Sequence, residues 1–227
     1  APLIVVAGPG TGKTRTLVSR IAHNVFTERV AADRVLAIAF TNQAAAELQE
    51  RIERLLPGGD DAPAPLVTTF HGLGKSLLEA AHGPQRIVEE EEREEIGRQL
   101  VGDGGTDRQA RQALDRISLA KQNVDPYEAI APKDTGLLER YEVMLADRDA
   151  IDLDDLVLRA FDLLTHDPKL AAETAGRFDM VCVDEYQDVN DVQAELVALL
   201  APRGAGLTAI GDPDQAIYGF RGARPGP

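Results

Sequence analysis

The string Gly8-Pro-Gly-Thr-Gly-Lys-Thr14 limits this chain more than any other, because of what stands on either side of it. Ahead of it runs Pro2-Leu-Ile-Val-Val-Ala7, short and continuously apolar, which predicts a strand buried on both faces of a parallel sheet. Behind it Leu17, Val18, Ile21, Ala22 and Val25 recur at helical spacing. A glycine-rich turn that merely caps a helix would account for the glycines. Placement between a buried strand and an amphipathic helix points instead to a loop that cradles phosphate. Gly8, Gly10 and Gly12 let the backbone wrap an anion with its N–H groups inward, with Pro9 and Thr11 completing the turn, and the helix adds its positive N-terminus. Lys13 supplies a mobile positive charge for β and γ phosphates, and Thr14 a hydroxyl for Mg²⁺. Ala7 stands where the strictest form of the pattern has glycine.

A triphosphate site also needs a carboxylate for its metal and a group to handle the attacking water. Val181-Cys-Val-Asp-Glu185 is an apolar run ending in two acids. Alone, such a pair usually marks a strand exit. Coupled to the loop, Asp184 is placed to hold Mg²⁺ and Glu185 to act as general base, since sheets of this class gather ligands at the carboxyl ends of their strands. A further strand, Leu207–Ile210, leads to Gly211-Asp-Pro-Asp-Gln215, where the Gln215 amide could sense the γ-phosphate.

The same strand-then-helix plan recurs along the chain. Val35–Phe40 is followed by a helical pattern over Ala44–Leu56, and Leu66–Thr69 by one over Leu73–Ala81; Met180–Val183 is followed by one over Gln193–Leu200. Strands alternating with helices predict an α/β fold on a parallel sheet. Between about Gly83 and Met180 no strand-like run appears. Helical patterns cover Ala110–Ala120, Leu137–Leu145 and Leu153–Leu164, and six acids in the seven residues Glu89–Glu95 read as a solvated helix face. Residues 84–166 are therefore expected to form a helical subdomain inserted into the α/β domain of residues 1–83 and 167–227. No internal repeat is present.

Composition excludes several classes. With 227 residues and about 150 per domain, one to two domains are expected. No apolar stretch approaches the roughly 20 residues of a membrane span, so no membrane partner is expected. Cys182 stands alone and no secretory signal opens the sequence, which points to the reducing cytoplasm. The net charge of −14 argues against coating nucleic acid by bulk charge; any such site must be local.

Four further strings carry a resemblance. Ala39-Phe-Thr-Asn-Gln-Ala-Ala-Ala-Glu-Leu48 follows the second strand and Thr68-Thr-Phe-His-Gly72 the third. Val183-Asp-Glu-Tyr-Gln-Asp188 surrounds the acidic pair, and Ile210-Gly-Asp-Pro-Asp-Gln-Ala-Ile-Tyr-Gly-Phe-Arg-Gly-Ala223 stands near the end. In this order, together with the phosphate loop, they resemble motifs I, Ia, Ib, II and III of the UvrD/Rep/PcrA-type superfamily 1 DNA helicases. Asp-Glu-Tyr-Gln, rather than Asp-Glu-Ala-Asp, separates them from the DEAD-box RNA helicases. The resemblance implies a RecA-like domain (1A) with residues 84–166 as the inserted subdomain 1B, in which Ile151-Asp-Leu-Asp-Asp-Leu156 is similar to a recurring family segment. It implies ATP and Mg²⁺ as ligands of Lys13, Thr14, Asp184, Glu185 and Gln215, with Arg15 near the adenosine.

The resemblance also implies a single-stranded DNA track along Phe40, Thr41, Asn42, Thr69, Phe70 and His71. Tyr218, Phe220 and Arg221 would link nucleotide to strand, since aromatic faces stack on bases without reading sequence. Core packing is the alternative for each aromatic, and stands level with DNA contact for Phe40. His71 reads as a hydrogen-bonding or helix-entry residue, because no Cys/His cluster accompanies it.

What the resemblance implies as a whole is the first motor domain of an ATP-dependent helicase of 3′→5′ polarity. The family's adenine motif before the loop, its second RecA-like domain and its later arginines have no counterpart in this sequence. A fragment is therefore expected, one that hydrolyses ATP poorly by itself and does not unwind DNA. A non-catalytic nucleic-acid-binding or regulatory module is the alternative; a nucleotide kinase or a transporter ATPase would have no use for the Phe-Thr-Asn and Tyr-Gly-Phe-Arg strings. The sequence leaves the oligomeric state and the cellular pathway open.

Overall fold

The computed structural model describes residues 2–8, 10–56, 62–204, 206–212 and 214. In chain order, β1 (Leu3–Val6) leads into α1 (Lys13–Phe26), β2 (Val35–Ala39) into α2 (Asn42–Glu53), and β3 (Leu66–Thr69) into α3 (Phe70–His82). A run of helices follows: α4 (Glu90–Val101), α5 (Asp107–Lys121), α6 (Pro126–Ala129), α7 (Thr135–Ala146), α8 (Leu153–His166) and α9 (Pro168–Ala175). The chain then returns to β4 (Met180–Val183), α10 (Asp191–Leu200) and β5 (Leu207–Gly211).

The strands form one sheet in the order β1-β5-β4-β2-β3, every neighbouring pair parallel. Because the strands are parallel, the loop after β1 and the acids after β4 emerge at the same sheet end, with only β5 between them. The chain order alone would have kept them far apart.

Alternation of side chains across the pleat divides the apolar residues between two faces. Val35, Ala37, Met180, Cys182 and Ile210 pack with Leu17, Val18 and Ile21 of α1 and Leu48 and Ile52 of α2. Leu36, Ile38, Val181 and Val183 face the other way, onto α3, α8 and α10. Burial on both faces holds for β2 and β4 and fails for β1. Its Val5 packs against the first cluster, but Ile4 and Val6 are each 67% exposed. Among the described residues β1 is an edge strand, and the helices of the second face do not reach across to it.

Two helices begin earlier than apolar periodicity predicts, because polar caps set their starts. The Thr41 hydroxyl accepts from the Ala44 N–H at 3.1 Å at the head of α2, and the Thr69 hydroxyl from the Gly72 N–H at 3.1 Å at the head of α3.

The helical stretch has its own core: Val88, Ile96, Leu100, Leu114, Ile117, Leu138, Tyr141 and Leu145 cluster together. The acidic run lies on α4, whose Ile96 and Leu100 turn inward while Arg86 and Arg148 pair with Glu92. A short parallel bridge closes the neck of this unit. The Val88 N–H donates to the Ile151 carbonyl and the Ile151 N–H to the Arg86 carbonyl, both at 2.9 Å. α8, although inside the expected insert of residues 84–166, buries Leu156, Val157, Phe161 and Leu164 in the sheet's cluster with Phe70, Leu73 and Leu77. Gly74 lets α3 and α8 touch; a Cβ there would stand 2.2 Å from the Leu156 carbonyl oxygen. Among the described residues no helix is long and apolar enough to cross a membrane.

Candidate functional site: a phosphate loop facing two carboxylates

The glycine loop leaves β1 beside β5, with the Ala7 N–H donating to the Gly211 carbonyl at 3.2 Å. Gly10 and Gly12 have φ of 70° and 89°, left-handed values that cost any side-chain-bearing residue, so glycine is the residue that closes this turn. The Thr11 hydroxyl donates to the Gly8 carbonyl at 2.7 Å and tightens it. Lys13 and Thr14 then form the first turn of α1, where the orphan N–H groups of a helix start point outward.

Two contacts tie this loop to the acids after β4. The Thr14 hydroxyl donates to Asp184 Oδ2 at 3.0 Å, and Lys13 Nζ lies 3.4 Å from Glu185 Oε2. Lys13 and Asp184 are buried, whereas Glu185 is partly open to solvent. Burial pushes the Asp184 carboxyl above its ordinary range, the Thr14 hydrogen bond pulls it back, and the Glu185 charge adds to the rise. A cation is what such a carboxylate lacks. Thr14 and Asp184 offer hard oxygens on converging elements, a donor set that fits Mg²⁺ sharing its shell with substrate phosphates. Among the described residues no cluster of three or more His, Cys, Asp or Glu side chains could hold a metal unaided.

Glu185 itself has φ 49° and ψ 46°, a left-handed backbone that persists in a residue with a side chain only where its surroundings enforce it. Its N–H donates to its neighbour Asp184 Oδ1 at 3.1 Å, and its carboxylate accepts from Gln187 Nε2 at 2.8 Å. Cys182, one turn of the pleat below, is buried, and its thiol is pushed up to about 12, an inert group under the site.

The residues expected along a nucleic-acid track separate. Phe40 and His71 meet in a cleft of about 750 Å³ that is bounded by α4 and α5 on one side and by the starts of α8 and α10 on the other. Burial holds the His71 imidazole below its usual range, against the pull of Asp154 and Asp152. Thr41 and Asn42 are exposed at the head of α2. Phe70 corrects an expectation: it is 2% exposed and belongs to the sheet's core, because the first turn of α3 points it inward. Thr69 is likewise buried, its hydroxyl engaged as the α3 cap. Arg15 is exposed on α1. Pro9, Gln215, Tyr218, Phe220 and Arg221 lie outside the described residues.

The sequence missed two features. Gln187 stands in the Tyr-Gln-Asp string beside the acids, which is its only signal in the sequence. Lys121, Asp152 and Asp155 form a buried ion cluster, whose one legible sign was the Asp152-x-x-Asp155 spacing of a helix start.

A five-stranded parallel sheet with a glycine loop and an acidic pair at its carboxyl end defines a RecA-like α/β domain. The chain belongs to the UvrD/REP helicase N-terminal domain family, which matches residues 1–226. It is 37% identical to the ATP-dependent DNA helicase PcrA of Leuconostoc citreum, 33% to the PcrA of Staphylococcus aureus and 32% to the putative ATP-dependent DNA helicase YjcD of Bacillus subtilis. In each case 98–99% of this chain is covered and 32% of the relative, so the chain spans about a third of those proteins' length.

Proposed function

We propose that this chain is the first motor domain of an ATP-dependent DNA helicase or translocase, binding ATP with Mg²⁺ and single-stranded DNA. The convergence of Lys13 and Thr14 on Glu185 and Asp184 is the observation that carries the reading. Lys13 would take the β and γ phosphates, and Thr14 and Asp184 would hold Mg²⁺, which neutralises charge on the transferred phosphoryl group. Glu185 would accept a proton from water as its oxygen bonds to the γ phosphorus. The bond to the β–γ bridging oxygen breaks with its electron pair left on ADP. Gln215 would sense the γ-phosphate and Arg15 lie near the adenosine.

Phe40, Thr41, Asn42 and His71, with Tyr218, Phe220 and Arg221, would face the strand. Turnover and 3′→5′ movement would need a second RecA-like domain from the parent protein, and the cytoplasm is the setting proposed for it. The Ile87–Ile151 bridge marks our proposed boundary of the helical insert, with α8 counted among the helices of the sheet.

Binding of unlabelled single-stranded DNA to the domain tests the second ligand. At a net charge of −14, affinity must come from local phosphate contacts, so it is expected to fall steeply between about 50 and 200 mM salt. Absent binding, or binding indifferent to salt, would contradict the DNA part of the proposal.

A further inference from the structure

We infer that Gln187 is the positioning residue for the general base, an inference that rests on the proposed role of Glu185. Gln187 is 7% exposed, and its side chain joins the two strand ends that frame the site. Nε2 donates to Glu185 Oε2 at 2.8 Å, while Oε1 accepts from the Asp212 N–H, just beyond β5, at 2.9 Å. The second amide hydrogen faces Asp188 Oδ2 at 3.5 Å. One neutral amide thus separates two carboxylates and fixes one of them against a backbone that does not move independently of the sheet.

The chemistry favours an amide here. An ammonium or guanidinium in the same place would neutralise the carboxylate and weaken it as a proton acceptor, whereas an amide orients it and leaves its charge available. Lys13 also contacts Glu185, but a mobile ammonium beside a phosphate loop is drawn to the triphosphate once that arrives. Gln187 keeps its hold through the cycle, which is what a left-handed Glu185 backbone requires of its surroundings.

Gly211 supplies an independent sign. Its backbone is not in the left-handed region, so conformation does not demand glycine; room does. A Cβ at Gly211 would lie 2.6 Å from Gln187 Oε1 and 3.1 Å from the Gln187 backbone nitrogen. The end of β5 is kept bare so that this amide can lie across it.

The test uses the complete parent protein, saturated with single-stranded DNA, and compares ATP turnover with affinity for a non-hydrolysable fluorescent ATP analogue. Gln187→Met fills the slot without either hydrogen bond, Gln187→Glu keeps the size but sets a third carboxylate there, and Gly211→Ala crowds the amide from the other strand. Each is expected to lower kcat about 10- to 100-fold, part of what a general base contributes, with the analogue's Kd unchanged. In a Glu185→Gln background, single-turnover hydrolysis is expected to show no further loss from Gln187→Met, because the two residues act as one unit. Normal kcat in the Gln187 variants, alongside a Glu185→Gln change that abolishes turnover, would overturn this inference alone. So would an equal loss from Gln187→Met in both backgrounds. Normal turnover in Glu185→Gln would overturn the assignment of the base and this inference with it.

Discussion

Glu185→Gln in the complete protein is expected to cut DNA-stimulated ATP turnover by about 10²- to 10⁴-fold, the usual contribution of a positioned general base. The amide is nearly isosteric with the carboxylate and keeps an oxygen that can accept from Gln187. What it loses is the ability to take the proton from water. Nucleotide affinity is expected to hold or to tighten, since Lys13 no longer has to leave a carboxylate 3.4 Å away to reach the phosphates. Phosphate release under saturating ATP and single-stranded DNA, with affinity measured separately, separates the two effects. Turnover near that of the natural protein would remove Glu185 from the chemistry.

Lys121→Met is expected to destabilise the fold by about 3–5 kcal/mol, the cost of leaving buried charge unpaired. Lys121 Nζ lies 2.6 Å from Glu142 Oε1, 3.1 Å from Asp152 Oδ2 and 2.9 Å from Asp155 Oδ1, with the Tyr141 ring centroid at 5.0 Å. Its side chain is 1% exposed. Burial alone would discourage the ammonium, but Asp152, Asp155 and Glu142 outweigh it and hold it charged well above its ordinary range. That stability is therefore present throughout neutral pH and is lost only in strong alkali.

Without Lys121, Asp152 would be buried with no ammonium beside it, while Asp155 keeps only Arg159 at 3.3 Å. Burial opposes the Asp152 charge, and with Lys121 gone its affinity for protons would exceed that in the unfolded chain, so the variant gains stability as pH falls. In the natural protein the effect runs the other way. Burial opposes the Asp152 charge, but Lys121 and the neighbouring hydrogen bonds prevail and keep its carboxyl below the usual range, so acid costs stability as that group protonates. The two urea-unfolding curves are thus expected to lie far apart near pH 8 and to approach each other near pH 5. A deficit that is small, or the same at both values, would show that the cluster is not the joint described here. The cluster links α5, α7 and α8, so it fastens the helical unit to the sheet.

Local order was legible where the chain states it twice, by composition and by position. Gly8, Gly10 and Gly12 between an apolar run and a helical pattern predict a tight turn at a helix head, and Gly10 and Gly12 take the left-handed backbone it needs. The runs at Val35–Ala39 and Met180–Val183 are apolar on every residue because both of their faces are covered. Pro2–Ala7 looks the same in sequence and differs in the fold, because a strand's neighbours are decided by topology: among the described residues β1 lies at the sheet edge.

Phe70 shows the same limit on a smaller scale. The string Thr-Thr-Phe-His does not say which of two adjacent rings the first turn of α3 will turn inward. α8 reads as one more helix of the insert, since periodicity reports an apolar stripe and not the core it will join. Lys121 stands in an otherwise ordinary polar helix end, and its aspartate partners lie 31 and 34 residues away. Gln187 gains its meaning from Asp212, 25 residues on, across a strand pairing.

The most direct test titrates the 227-residue domain with a fluorescent ATP analogue, with and without Mg²⁺, in the natural sequence and in Lys13→Ala and Asp184→Asn. If the glycine loop and the two acids embrace one magnesium–triphosphate, Mg²⁺ tightens binding to the natural sequence, Lys13→Ala weakens it in either condition, and Asp184→Asn abolishes the benefit of Mg²⁺. An undiminished Mg²⁺ effect in Asp184→Asn, or undiminished affinity in Lys13→Ala, would mean that the nucleotide does not sit between them.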